Sequence, residues 1–241
     1  MAAHIAVQPY SLFLPVYNEE VLLVSHTEKL LQYLPRLKNP FEVLIGSNGS
    51  TDSTPRLGEE LAARNPLVRF FHLPKKGPGA AFRRAIELMR YDQLVCMDMD
   101  LSTSLDFVPT SLDLLAHHDI VIGSKKMGVE SRGPLRRWGS NLYIATSKLL
   151  MGLPFDDYSL GAKAYRKPVL ERYRGAIDRD TFYVQQIIYW AYRDGCKIIQ
   201  VPIRCIDERK SRFNLIHEGF YRFGRIFRLW LSARLLGGRP A

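Results

Sequence analysis

Short apolar segments alternate with amphipathic helical patterns through the first hundred residues, and this alternation limits the fold more than any other feature. Apolar segments at about 10–15, 41–46, 68–73 and 94–97 predict strands, and a stretch with helical period follows each of the first three. A strand–helix repeat of this kind indicates an α/β domain, with a mostly parallel sheet and helices on both faces. Ligands of open α/β sheets bind at the carboxyl ends of the strands, so we expect the functional residues at that edge.

The fourth predicted strand leads directly into two acidic residues, Asp98 and Asp100. Side chains at positions i and i+2 of a strand face the same side, so these two carboxylates could converge on one divalent cation. A Mg²⁺ or Mn²⁺ ion held there would neutralise a diphosphate. Asp-x-Asp also occurs by chance in many loops, and a solvated turn after the strand is the alternative interpretation.

Two turns at the same predicted edge carry small or basic residues. Residues 47–54, after the second strand, are small and polar, and they can present backbone N–H groups or cap a helix. Residues 75–80, Lys-Lys-Gly-Pro-Gly-Ala, precede a predicted helix. A glycine-rich turn at a helix N-terminus predicts an anion site, and the two lysines add positive charge.

The second half of the chain is less regular and ends in a segment with two distinct faces. Strands are predicted at 119–124, 157–165 and 197–202, helices at about 109–116, 138–151 and 182–193, and a basic loop at 130–137. On a helical projection of 214–236, Phe220, Phe223, Phe227, Trp230 and Leu231 share one face, and Arg222, Arg225 and Arg228 share the opposite one. This pattern is typical of a helix in a membrane interface with its arginines towards lipid phosphates. Packing of this helix on its own domain or on a partner subunit is an equal alternative.

Composition and charge narrow the class of partner. The net charge of +10 favours nucleotide phosphates, lipid phosphates or an anionic membrane surface, and no nucleic-acid-binding motif accompanies it. A 46% hydrophobic content in 241 residues suits one large α/β domain with a small appendage. No apolar run reaches the roughly 18 residues of a membrane span, and no signal peptide is expected. The three cysteines lack metal-site spacing, and apolar surroundings predict Cys96 and Cys196 to be buried thiols in a reducing compartment.

Four separated motifs carry a resemblance to a known family. They are Leu-Pro-Val-Tyr-Asn-Glu-Glu at 14–20, Ser-Asn-Gly-Ser-Thr-Asp at 47–52, Lys-Gly-Pro-Gly-Ala-Ala at 76–81 and Asp-Met-Asp-Leu-Ser at 98–102. In this order they resemble the motifs of family 2 glycosyltransferases with the GT-A fold. The chain is most similar to the branch that transfers hexoses to dolichyl or polyprenyl phosphate, which includes the dolichol-phosphate mannose synthases. The segments 136–141, 157–161 and 209–212 resemble later motifs of that branch.

The resemblance implies a GT-A catalytic domain at 1–213 and a set of site residues, and the residue pattern predicts an amphipathic, membrane-interfacial helical tail at 214–241. The implied nucleotide-sugar-binding residues are Pro15, Tyr17, Glu19, Asn48, Asp52, Lys76, Asp98, Met99, Asp100 and Lys125. The implied ligands of the acceptor phosphate are Arg132, Arg136, Arg137, Ser140, Arg209 and Arg212. Catalytic roles fall to Asp100, Arg137 and Arg209, and Asp98 and Asp100 would hold Mg²⁺ or Mn²⁺. A helix cap is the alternative role for Asp52.

The implied function is inverting transfer of a hexose, mannose first and glucose next, from GDP-mannose or UDP-glucose to a polyprenyl phosphate on the cytoplasmic face of a membrane. A membrane-anchoring partner subunit is a further expectation. Two departures from the family's pattern bear on this. Ser47 and Asn48 stand where relatives usually carry two aspartates, and 182–186 offers glutamines where relatives that attack hydroxyls carry an acid. A phosphate acceptor needs no strong base, because it is already anionic. Two alternatives remain: a transferase with a soluble or polysaccharide acceptor, and a non-catalytic nucleotide-sugar-binding subunit.

Overall fold

A computed structural model describes residues 7–125, 127, 134–158, 160–205 and 215–235, with the main chain only at 134–138, 215–220 and 235. Within these residues the strands form one seven-stranded sheet, in the order β3-β2-β1-β4-β6-β5-β7. The strands are β1 Tyr10–Val16, β2 Phe41–Asn48, β3 Val68–Leu73, β4 Gln93–Cys96, β5 Ile120–Ser124, β6 Lys163–Arg166 and β7 Ile198–Pro202. The α-helices are α1 Leu23–Tyr33, α2 Thr54–Arg64, α3 Pro78–Leu88, α4 Phe107–Leu115, α5 Pro134–Met151, α6 Lys167–Arg172, α7 Tyr183–Arg193 and α8 Leu215–Leu235.

The sheet confirms the predicted α/β architecture and corrects one strand. β3, β2, β1 and β4 are parallel, β5 is parallel to β7, and β6 lies antiparallel between β4 and β5. The predicted strand at 157–165 is wrong over most of its length, because only Lys163–Arg166 pairs. Asp157 Oδ1 accepts the N–H of Leu160 at 3.0 Å, and a backbone group bonded locally in this way is not available to a sheet ladder.

The apolar core lies on both faces of the sheet, as a mostly parallel sheet requires. Leu12 points into one layer, while its neighbour Phe13 points into the other and packs near Phe82 of α3. The continuous apolar sequence of β1 follows from this burial on two sides. Of the two predicted buried thiols, Cys96 is buried, whereas Cys196 is partly exposed.

Helix α8 packs on the domain through a face that lies between its two predicted stripes. Ile226, Leu229 and Ala233 are buried in the same core layer as residues of α5 and α7. Phe227 and Leu231, from the predicted apolar face, remain 54% and 40% exposed. Packing on its own domain therefore covers one face of the helix and leaves part of the apolar face open.

The arginine stripe of α8 does not lie wholly in solvent, contrary to the expectation that it faces lipid phosphates. Arg225 donates to Asp178 Oδ2 at 2.9 Å, and the Tyr221 hydroxyl donates to the same oxygen at 3.0 Å. Arg222 lies over an aromatic ring of α5, and Arg228 is exposed. No helix in the described part of the chain is both long and apolar enough to cross a bilayer.

Candidate active site

Two carboxylates stand at the carboxyl edge of the sheet, just beyond β4. The N–H of Met97 donates to Phe13 O at 3.1 Å, so the pairing of this segment with β1 continues past the end of the strand. Met97 and Met99 are buried, whereas Asp98 and Asp100 are partly exposed. Beyond Met97 the chain turns, with the N–H of Leu101 donating to Asp98 O at 3.1 Å, and the charge of Asp100 acts on Asp98, so the two carboxylates lie close together in this turn.

Asp98 is held by the main chain of a distant segment. Its Oδ2 accepts the N–H of Gly161 at 3.2 Å. Burial, together with the nearby charge of Asp100, raises the pKa of Asp98 to about 6, although the Gly161 N–H and the ammonium groups of Lys163 and Lys125 act in the opposite direction. Two carboxylates that repel each other in this way gain from a divalent cation placed between them.

The donor set at this edge suits a hard cation shared with a phosphate ligand. Carboxylate oxygens are the ligands that Mg²⁺ prefers, and one or two of them, with phosphate oxygens and water, are the usual set. Among the residues that the structure describes, no group of three or more His, Cys, Asp or Glu side chains forms a metal cluster. Asp98 and Asp100 therefore match a cation that arrives with a diphosphate. The N–H of Ser102 donates to Asp100 Oδ1 at 3.0 Å and orients that carboxylate.

The loops after β1 and β2 hold each other through Asp52. Its Oδ1 accepts the N–H of Thr54 at 3.0 Å, and its Oδ2 accepts the N–H of Glu20 at 3.2 Å. Burial acts to raise the pKa of Asp52, but the hydrogen bonds from Thr54 and Glu20 outweigh it and lower the pKa below its ordinary value. Asp52 thus bonds the first N–H of α2 from the position before the N-cap residue Ser53, and its contact with a base or ribose stays a prediction.

Asn48 joins three segments of the chain through its side chain. Its Nδ2 donates to Val16 O at 2.8 Å, and its Oδ1 accepts the N–H of Gly77 at 3.3 Å. The side chain is buried and joins β1, β2 and the turn before α3, so the structure gives Asn48 a role other than the predicted nucleoside contact. The neighbouring Ser47 stands where relatives usually carry a carboxylate. Its Oγ lies 2.9 Å from His72 Nδ1.

Other residues predicted to bind the nucleotide sugar lie along the same carboxyl edge of the sheet. The ammonium group of Lys76 stands 3.9 Å from the ring centroid of Tyr17, a cation–π contact between an exposed and a partly exposed side chain. Pro15 lies near the end of β1 and is partly exposed. Glu19 precedes α1, and its N–H donates to Thr54 Oγ1 at 2.9 Å. The end of β1 and the loops after β1 and β3 thus bring Pro15, Tyr17, Glu19 and Lys76 to the carboxyl edge of the sheet.

Met99 differs from the other predicted donor residues, because its side chain is buried in the core. Its carbonyl oxygen lies 2.8 Å from His26 Nδ1 of α1. Met99 can therefore contact a nucleotide-sugar donor only through its main-chain atoms.

The glycine-rich turn before α3 does not form the predicted anion site. Gly79 and Ala80 donate their N–H groups to the carbonyl oxygen of Arg179 at 2.9 and 3.1 Å, and Gly79 also donates to Asp180 O at 3.0 Å. A side chain at position 79 would overlap the carbonyl group of Asp178. The segment 178–180 thus occupies the helix N-terminus, and that prediction is wrong.

Lys125 is buried, contrary to its predicted contact with the nucleotide sugar. Its Nζ lies 3.7 Å from Asp157 Oδ2, and both side chains are almost wholly enclosed. The other carboxylate oxygen of Asp157 accepts the N–H of Leu160. Lys125 therefore helps to hold the loop that carries Gly161.

The predicted acceptor residues are only partly accounted for. Ser140 lies on α5 and is partly exposed. Arg136 and Arg137 lie in the first turns of the same helix, where the main chain alone is described, and Arg132, Arg209 and Arg212 lie outside the described residues. Their roles remain predictions.

Gln185 stands in the helix where relatives that attack hydroxyls carry an acid. The Tyr143 hydroxyl donates to its Oε1, and its Nε2 donates to Ser147 Oγ at 3.0 Å. This buried amide joins α7 to α5 and supplies no carboxylate.

Lys163 and His26 were not predicted as site residues. Lys163 is buried in β6, and its Nζ donates to Leu160 O at 2.7 Å, next to the peptide N–H that binds Asp98. The signal for it was a lysine two residues after Gly161, the glycine of a family motif. His26 had no signal, because its contact joins residues 73 positions apart.

Comparison with known proteins first defines the class of fold. The solved structure of glucosyl-3-phosphoglycerate synthase from Mycobacterium tuberculosis, in complex with Mn²⁺, uridine diphosphate and phosphoglyceric acid, superimposes with a TM-score of 0.68 at 18% identity. The match covers 93% of this chain and 78% of that one. The fold is thus that of a GT-A glycosyltransferase domain.

The sequence comparisons then give the family. The family model described as glycosyl transferase family 2 matches residues 11–174, and the chain belongs to this family. It is 30% identical over 247 residues to the undecaprenyl-phosphate mannosyltransferase of Micrococcus luteus, covering 94% of this chain and 96% of the relative. It is 28% identical over 230 residues to glycosyltransferase AglD of Haloferax volcanii, covering 91% of this chain but only 36% of that larger protein.

Proposed function

We propose that this chain is an inverting hexosyltransferase that moves mannose, or in second place glucose, from a nucleotide diphosphate sugar to a dolichyl or polyprenyl phosphate. The observation that carries the proposal is the pair Asp98 and Asp100 on one side of the sheet edge, beside the loops of β1, β2 and β3. The likeness to the undecaprenyl-phosphate mannosyltransferase of Micrococcus luteus, which has nearly the same length, supports the acceptor class and the sugar.

The donor, GDP-mannose or UDP-glucose, would lie along that edge. Pro15, Tyr17 and Glu19 would line the nucleoside, and Lys76 would add positive charge near the phosphates. Asp98 and Asp100 would hold a Mg²⁺ or Mn²⁺ ion, and Asp100 is the better candidate for direct coordination. When bound, such an ion supplies charge neutralisation for the departing diphosphate.

The acceptor would react without a general base. A phosphate oxygen attacks the anomeric carbon while the bond to the nucleoside diphosphate breaks, so the configuration inverts and no proton must be removed. The buried amide of Gln185 supports this scheme, because the site that would hold a base in relatives is occupied by a structural contact. Arginine presents paired donors that suit phosphate, and Arg132, Arg136, Arg137, Arg209 and Arg212, with Ser140, are the proposed acceptor ligands.

A membrane surface is the proposed place of reaction. The exposed Phe227 and Leu231 of α8 stand beside the exposed Arg228, and α5 adds Leu142 and Leu149, the latter 84% exposed. Apolar side chains next to arginines suit the interface of an anionic membrane, here the cytoplasmic face. A membrane-anchoring partner subunit would bind the same apolar residues.

Transfer of radiolabelled sugar tests the function. The purified chain, with Mn²⁺ and either GDP-mannose or UDP-glucose, should label polyprenyl phosphate in detergent and should not label the corresponding polyprenol, which lacks the anionic nucleophile. Absence of transfer from both donors to the phosphate would overturn the proposal.

A soluble phosphorylated acceptor is the second candidate, favoured by the likeness to a fold neighbour crystallised with phosphoglyceric acid. The same assay with phosphoglyceric acid in place of the lipid separates the two. Labelling of the soluble acceptor alone would move the function to that class. Binding of GDP or UDP without transfer to any acceptor would indicate a non-catalytic subunit.

A further inference from the structure

A single peptide group connects Asp98 to a buried lysine. The Leu160–Gly161 peptide donates its N–H to Asp98 Oδ2 at 3.2 Å, and its carbonyl oxygen accepts a hydrogen bond from Lys163 Nζ at 2.7 Å. The ammonium group and the carboxylate thus lie at the two ends of one peptide dipole. Hydrogen bonds in such a chain polarise and strengthen one another in a medium of low dielectric constant.

The position of Lys163 is costly for a charged side chain. It is 1% exposed, and its neighbours in the adjacent strands are Cys96 and Ile122. Burial is the main cause that lowers its pKa to about 8. Burying a charged group costs free energy that an apolar side chain of similar volume would not, so packing alone does not explain a lysine here.

The same loop is held from a second side. Asp157 Oδ1 accepts the N–H of Leu160 at 3.0 Å, while Asp157 Oδ2 pairs with Lys125. Both polar groups of Leu160 are therefore bonded to buried side chains, which leaves the following N–H, that of Gly161, aimed at Asp98. A side chain at position 161 would overlap the Asp98 carboxylate, so the approach also requires glycine there.

We infer that Lys163 is a positioning residue for the metal–diphosphate site: through the Leu160–Gly161 peptide it fixes the orientation in which Asp98 presents its carboxylate to a divalent cation. The inference rests on the proposed function, since it assumes that Asp98 and Asp100 hold the cation. Partners of metal ligands act in this way generally, and their loss typically weakens metal binding 10- to 100-fold.

Mn²⁺ binding measured without turnover tests the inference. The electron paramagnetic resonance signal of free Mn²⁺ is titrated against the chain in the presence of GDP, and in parallel UDP. We expect Lys163→Met to bind Mn²⁺ about 10- to 100-fold more weakly than the native chain, with a cooperative unfolding transition at a somewhat lower melting temperature because the Leu160 carbonyl loses its partner. Lys163→Arg, which keeps the charge and the donor, should restore most of the affinity. The control Lys29→Met, at an exposed position of α1, should bind as the native chain does.

Transfer kinetics add a readout that a purely structural lysine would not move. The apparent KM for Mn²⁺ should rise in Lys163→Met while kcat at saturating Mn²⁺ changes far less. If Lys163→Met does not fold, Lys163→Gln, uncharged and one bond shorter, replaces it with the same expectation. Unchanged Mn²⁺ affinity in the folded variant overturns the inference alone. Absence of Mn²⁺ binding by the native chain with either nucleotide overturns the proposed function, and this inference with it.

Discussion

Asp98 and Asp100 stand two positions apart yet have different surroundings. Asp98 accepts a hydrogen bond from the distant Gly161, whereas Asp100 accepts one from Ser102 in its own turn. The turn includes Leu101 with φ of 50°, a left-handed conformation that non-glycine residues rarely adopt. Strained backbone of this kind is concentrated at functional sites, which supports the assignment of the Asp100 turn to the reaction centre.

Replacement of Asp100 should abolish most of the transfer without unfolding the protein. Asp100→Ala removes one of two proposed cation ligands, and we expect the rate to fall by about 10²- to 10³-fold, the usual cost of losing one electrostatic stabiliser. The measurement is transfer of labelled sugar to polyprenyl phosphate, with the melting temperature as a check on folding. Asp113→Ala, at an exposed position of α4, is the control and should keep the native rate. Equal rates for the two variants would contradict the assignment.

Gly161 should tolerate no side chain, whereas a helical glycine elsewhere should accept one. In Gly161→Ala the added methyl group would overlap the Asp98 carboxylate, so we expect lower stability and weaker Mn²⁺ binding. Gly224 in α8 has nothing within 4 Å of an added Cβ, and Gly224→Ala should raise the free energy of unfolding by about 0.5–1 kcal/mol. Urea unfolding of both variants checks the pair. A Gly161→Ala protein as stable as the native chain would show that the loop can move away from Asp98.

At the scale of the element, α8 shows how a helix can serve its domain and still leave an apolar surface. Its buried residues, Ile226, Leu229 and Ala233, face the core, and the aromatic stripe turns partly outward. Trp230 of that stripe packs against the core and Phe223 against the ring of Tyr143, so they are poor sites at which to test membrane contact. Phe227 and Leu231 are better sites, because they are exposed, so their replacement should change membrane binding without unfolding the protein.

Charge placed on the exposed part of α8 should weaken binding to anionic vesicles. The double variant Phe227→Asp, Leu231→Asp loses apolar contact and adds negative charge, and we expect at least about tenfold weaker binding. Co-sedimentation with vesicles of phosphatidylglycerol and phosphatidylcholine measures this. Leu67→Asp, at an exposed apolar position just before the edge strand β3, is the control. The membrane proposal fails if both proteins sediment as the native chain does.

At the scale of the whole molecule, the elements were largely predictable and the contacts between distant segments were not. The apolar runs of β1 to β4 and the acidic pair after β4 follow from local periodicity, because burial on two faces demands such sequences. The occupied N-terminus of α3 depends on Arg179, about a hundred positions away, and the burial of Lys125 depends on Asp157. A local pattern of glycines or lysines carries no information about a partner that arrives through the fold.

The residues that would bind the acceptor phosphate were predictable only through the resemblance to the family. Arginines at 132, 136, 137, 209 and 212 have no periodicity that separates a phosphate ligand from a surface residue. Lys163 was missed for another reason: a lysine at the start of a strand usually lies in solvent, and only the packing of β6 between β4 and β5 shows that it is enclosed.

The stability of the whole chain should record the buried charge of Lys163 as pH rises. Burial lowers the pKa of this lysine from 10.5 to about 8, so between these values the unfolded chain holds the proton more tightly than the folded one. The free energy of unfolding of the native chain, relative to that of Lys163→Met, should therefore increase from pH 8 to pH 10.5, by at most about 3 kcal/mol. Urea unfolding of both proteins at pH 7, 8, 9 and 10 measures the difference. A difference that does not vary with pH would show that Lys163 is not enclosed in solution.

The hydrogen bonds between α8 and Asp178 determine what shortening this protein would do. Tyr221 and Arg225 both donate to the Asp178 carboxylate, and the main chain at 178–180 fills the end of α3. Trimming the polypeptide at residue 213, the obvious cut for a more tractable catalytic fragment, would strip both donors from a mostly enclosed acid. Loss of these hydrogen bonds would also disturb the turn of Lys76, which lies on the other side of the same loop. Low activity of such a fragment would therefore reflect a disturbed active site rather than lost attachment to a bilayer.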